Sequence, residues 1–65
     1  MKTESIEYRG YELQVIYNSP MWQVGIYPTK PNMLALRADL QIVSLGNKQD
    51  AIMEARRRID ALISN

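Results

Sequence analysis

Two turns limit what this chain can fold into. On both sides of Arg9-Gly10 apolar and polar residues alternate, IEYRGYELQVIY, and a period of two belongs to strands. A two-residue connection whose glycine takes φ > 0 predicts a tight hairpin. It pairs Tyr8 with Tyr11 and Ile6 with Leu13. The second turn, Asn18-Ser19-Pro20-Met21, leads into WQVGIYP, which alternates again. Its residue types are turn formers for separate physical reasons. It pairs Tyr17 with Trp22, Val15 with Val24 and Leu13 with Ile26. Each register comes from its own turn, yet both place Ile6, Tyr8, Tyr11, Leu13, Val15, Tyr17, Trp22, Val24 and Ile26 on one face. A one-residue slip at either turn would destroy that agreement. The opposite face collects Glu7, Glu12, Gln14, Ile16, Gln23, Gly25 and Tyr27, and only Ile16 and Tyr27 make it apolar.

Pro28 and Pro31 end the third strand. KPNMLALRAD, residues 30–39, reads two ways. Met, Leu, Ala and Arg favour a helix that Asn32 would cap, and an irregular crossover fits equally. LQIVSL, residues 40–45, has strand composition, so the sheet has either three strands or a fourth, edge strand here, closed by Gly46. Asn47 and Asp50 resemble a capping pair. Beyond them Ala51, Ile52, Ala55, Ile59, Leu62 and Ile63 form a helical stripe, here taken as centred on Ile52. The expected fold is α+β in two layers. A three- or four-stranded antiparallel β-meander packs against one C-terminal α-helix. The strands are expected at about 4–9, 11–17, 22–27 and 40–45 and the helix at about 48–63, in a single domain over 1–65.

Sixty-five residues bury only about 60% of the unfolded surface, so a chain of this size is marginally stable on its own. With no cysteine and no histidine, disulfides and the usual zinc sites are excluded. Packing or self-association must supply the stability. A hydrophobic share of 46% is that of a folded chain. No apolar run approaches the roughly 18–20 residues of a membrane span, and MKTESIEYRG has no signal-like stretch. A cytoplasmic protein is expected. Its carboxylates have no calcium-ligand spacing, its three glycines are isolated, and no nucleophile–base pair can be drawn. No catalysis, metal, cofactor or small-molecule ligand is therefore expected.

The stretch EARRRID, residues 54–60, raises the case of a nucleic-acid-binding helix. Helical residues lie about 100° apart, so Arg56, Arg57 and Arg58 fan out. Arg57 is expected to point outward. Arg56 and Arg58 are expected to flank the buried stripe, their stems on the core edge, pairing with Asp60 and Glu54. Net charge is only +1, which gives duplex DNA little to hold.

The residues YRGYELQV, WQVGIYP and DAIMEARRRIDALI resemble small, uncharacterised bacterial proteins with a Tyr-x-Gly-Tyr hairpin, a Trp-bearing third strand and an Ala/Arg-rich Ile-Asp helix. The matching positions are Tyr8, Gly10, Tyr11, Trp22, Ala51, Ala55, Arg56, Ile59 and Asp60. More distantly, three strands followed by an Ala-rich helix resemble the N-terminal domain of HicB-type antitoxins. Both resemblances imply the same β-β-β-α layout, and the first implies no activity.

Two functions follow as expectations. The first is a small non-catalytic interaction or accessory protein, self-associating as a homodimer or docking on a protein partner. Its contact residues are drawn from Trp22, Tyr27, Ile16, Leu40 and Ile42. The alternative is a nucleic-acid-binding regulator acting through Lys48, Arg56, Arg57 and Arg58.

Overall fold

A computed structural model describes residues 3–64. Its elements are β1 (Glu4–Tyr8), β2 (Tyr11–Asn18), β3 (Met21–Pro28), β4 (Ile42–Leu45) and α1 (Lys48–Ser64). The four strands form one antiparallel sheet in the order β1-β2-β3-β4. The α+β meander packed on a single helix is thus the observed fold.

Both hairpin registers match those read from the turns. Tyr8 faces Tyr11 and Ile6 faces Leu13. Tyr17 faces Trp22, Val15 faces Val24 and Leu13 faces Ile26. At the first turn Gly10 has φ +86° and Arg9 also has positive φ, 51°. Two consecutive positive values are those of a type I′ turn, whose twist suits the flanking strands. At the second turn the ladder runs one step further than expected, to Asn18 opposite Met21. Ser19-Pro20, joined by a cis peptide bond, makes the connection.

The core is Tyr11, Leu13, Val15, Val24, Ile26, Val43, Ala51, Ala55 and Ile59, all buried. Sheet residues supply most of the bulk; the helix supplies Ile59 and two alanines, and the alanines let the helix axis lie close to the sheet. This corrects the centre of the helical stripe. It runs along Ala51, Ala55 and Ile59. Ile52 and Leu62 pack at its margins, and Ile63 is 42% exposed. A larger side chain does not mark the centre of a stripe when small residues allow the closest approach.

Residues 29–41 form no helix. The segment is an irregular crossover tied to the sheet at several points. Thr29 donates to the Gly10 carbonyl through its backbone N–H (3.1 Å) and its hydroxyl (2.6 Å). The Tyr11 hydroxyl donates to the Leu34 carbonyl, and Met33 and Leu36 pack against the core. These ties override the local helix preference of MLALR. They also delay the fourth strand. The Leu40 N–H is spent on the Arg37 carbonyl at 2.8 Å, so β4 begins at Ile42 and not at Leu40.

The helix starts where the capping pattern placed it. The Asn47 side-chain oxygen accepts from the N–H groups of Gln49 (2.9 Å) and Asp50 (3.2 Å), which satisfies two of the open donors of the first turn. The helix packs mainly on β3 and β4 and less on β2.

Candidate interaction surface

The residues singled out for partner contact occupy three separate places. Ile16, Tyr27 and Ile42 share the outward face of the sheet, where with Gln14, Gln23 and Gly25 they line a shallow depression of about 50 Å³. The Tyr27 ring covers Gly25 so closely that a Cβ there would lie 2.6 Å from it. Glycine is needed at this point for the close approach of the ring. Trp22 lies elsewhere, at the far end of the inner face. Its ring centre is 4.7 Å from that of Tyr17, and the Lys48 ammonium sits 5.5 Å above it. Leu40 lies in a third place, the mouth of an apolar hollow of about 300 Å³ lined by Ala35, Leu36, Arg37, Arg58, Ala61 and Leu62.

Each basic residue on the helix has partners within the chain. Lys48 pairs with Glu4 of β1. Arg57 holds Glu54 with two nitrogens, at 2.8 and 3.0 Å, and is the outward residue expected. Arg58 pairs with the same carboxylate at 3.1 Å. The two arginines hold the Glu54 carboxyl below the usual carboxylate range, Arg57 contributing first. The expected Arg56–Asp60 pair does not form. Asp60 accepts instead from Arg9 and from the Tyr8 hydroxyl, both at 2.8 Å, and Arg56 lies over the Tyr8 ring at 5.4 Å. The hairpin turn carries Arg9 directly to the helix, where it takes an Asp60 oxygen, while Arg56 turns to the Tyr8 ring.

Arg58 was expected to rest its stem on the core edge and pair with Glu54. Its Nη1 also donates to the Leu40 carbonyl at 2.8 Å and lies 3.4 Å from that of Ile42. The Leu40 carbonyl lies just before the edge strand and the Ile42 carbonyl in its first residue. The Ile26 N–H donates to the Gln41 carbonyl, and bonding alternates along an antiparallel ladder. Gln41, Val43 and Leu45 therefore turn their backbone groups toward β3, while Ile42 and Ser44 turn theirs to the open side. No strand pairs with that side among the described residues. The edge is flanked by exposed apolar side chains: Ile42 (53%), Leu45 and, from the helix, Met53 (64%). Asp50, Glu54 and Arg57 lie around Leu45 and Met53. Only the arrangement in space brings Arg58 to a backbone edge; no residue spacing announces it.

Among the described residues no three carboxylates gather as a metal centre requires, and no helix is long and apolar enough to cross a membrane. Comparison with known families, with curated proteins and with solved structures gives no match.

Proposed function

We propose that the chain is a small non-catalytic interaction protein that self-associates, and that its contact surface is the open side of β4. The observation that carries this reading is a short strand edge with no partner strand among the described residues, bordered by Ile42, Leu45 and Met53. Such an edge is a template for another strand. A second copy fits it for two reasons. A two-fold contact needs a surface complementary to itself, and the helix side beside the edge carries both signs, Asp50 and Glu54 with Arg57 and Arg58. A two-fold axis at Val43 also sets Ile42 opposite Ser44 of the second copy. These are the residues whose backbone groups face outward.

Sedimentation or light scattering from low to high micromolar concentration tests the reading. A concentration-dependent dimer is expected, and a strict monomer at high micromolar concentration would overturn it. The alternative of a nucleic-acid-binding helix draws on Arg56, Arg57, Arg58 and Lys48, but these side chains diverge toward β1, Glu54, β4 and Trp22. Phosphate contacts would have to appear as affinity for mixed DNA or RNA that falls steeply with salt.

A further inference from the structure

Natural sheets protect open edges with charged side chains or coverings, and the Arg58 head occupies a position of this kind. It leaves the helix, is gripped by Glu54 at 3.1 Å, and ends on the Leu40 carbonyl at 2.8 Å. Its longer contact, 3.4 Å, reaches the Ile42 carbonyl. That carbonyl is one of the acceptors a strand added at β4 must use. A carbonyl oxygen can accept twice, but a guanidinium lying against this one stands on the open side of β4, in the space an incoming strand must enter. Glu54 in turn is shared with Arg57, so the arm that holds Arg58 is itself braced.

We propose that Arg58 is a gate on the β4 edge: the edge accepts the β4 strand of a second copy only when the guanidinium swings off the Ile42 carbonyl. This rests on the self-association reading and adds a control to it. Arg58 restrains association, although it belongs to the surface that associates. A contact residue would do the opposite.

The test compares dissociation constants by sedimentation for wild type, Arg58→Met and Arg58→Lys, each checked for an intact fold by circular dichroism. Met keeps the apolar stem and removes the donors. Removing the competing contact, a long one at 3.4 Å, should tighten the dimer by about threefold. Lys cannot grip Glu54 and the carbonyls with one planar fork, so a smaller tightening is expected. Lys also supplies a readout if the Met variant fails to fold. Ser44→Pro in the Arg58→Met background should return the chain to monomer. Pro removes an outward N–H and leaves the ladder to β3 intact.

Unchanged or weaker association in folded Arg58→Met and Arg58→Lys overturns the gate, whatever the wild type does. Tightening that Ser44→Pro fails to reverse also overturns it, since the copies then meet elsewhere. A monomeric wild type beside a dimeric Arg58→Met upholds the gate and removes constitutive self-association. A dimeric wild type insensitive to Arg58 does the reverse.

Discussion

The three arginines of EARRRID have three different surroundings, and their substitutions should separate accordingly. Arg57 is outward, and among the described residues its ion-pair partner is Glu54. Exposed pairs contribute little, so Arg57→Ala should change stability by no more than about 0.5 kcal/mol. Arg58 covers apolar side chains and bonds to backbone carbonyls, so Arg58→Ala should cost more, about 1 kcal/mol. Thermal melts of the two variants in parallel decide this, and equal losses would show that the carbonyl bonds carry no weight. Gly10, at φ +86°, also faces Met33, whose Cε would lie 2.8 Å from an added Cβ. Met33 can move but the backbone strain cannot be relieved, so Gly10→Val should cost about 1–2 kcal/mol; an unchanged melt would contradict the turn. Asp60 sets a pH dependence. Arg9 first and then Tyr8 hold its carboxyl below the ordinary range. A depressed carboxylate stabilises the fold fully above its unfolded pKa, about 3.9, and the contribution is lost as pH falls through the folded value. At the other end the bond to Asp60 raises the Tyr8 phenol, so its contribution is present below about 10 and is lost as pH rises through the folded value. Asp60→Asn should flatten the acid limb of a stability–pH curve. A limb of unchanged slope would assign acid loss to other groups.

Each element depends on a local feature that can be removed alone. The helix relies on Asn47, and Asn47→Ala should cost about 1 kcal/mol, read by denaturant melts against the exposed control Gln49→Ala. It also relies on small residues at its closest approach to the sheet. Ala55→Leu adds volume to a fully buried position and should cost about 1–3 kcal/mol. A neutral Ala55→Leu would mean that the helix is not seated as described. These elements differ in how much of them was legible beforehand. Both hairpins were readable, because strand alternation and turn geometry each specify register and here they agreed. The helix was readable as a helix, but its rotation was not: apolar residues on both flanks of Ala55 left the centre open, and the sheet surface decided it. The 29–41 segment was ambiguous because its residues favour a helix locally, while Thr29, Leu34, Met33 and Leu36 are held by contacts distant in the chain. The candidate site was least legible. Ile42 and Leu40 could be named as apolar residues near an edge. The meeting of Arg58 with the Leu40 and Ile42 carbonyls depends on where the crossover and the helix settle together.

At the scale of the whole molecule the sheet is covered unevenly. The helix packs mainly on β3 and β4, and β2 is held on both sides by neighbouring strands. β1 is a sheet edge joined to the helix mostly by polar ties: Glu4 to Lys48, Arg9 and Tyr8 to Asp60, and Arg56 over the Tyr8 ring. These ties stand at or near the surface, where salt screens them. At 1 M the screening length is about 3 Å. The apolar contacts that hold β2, β3 and β4 do not weaken in this way. β1 should therefore open as a unit at lower cost than the rest of the fold. Native-state hydrogen exchange should show β1 amides less protected than those between β2 and β3, and salt should widen the gap. Because β1 lies on the side of the sheet away from β4, this opening should also proceed equally in the monomer and in a dimer joined at β4. Protection in β1 that rises with protein concentration would place the contact between copies at β1 and remove the assignment to β4. Uniform loss of protection with salt across all four strands would show instead that the sheet opens only as a whole.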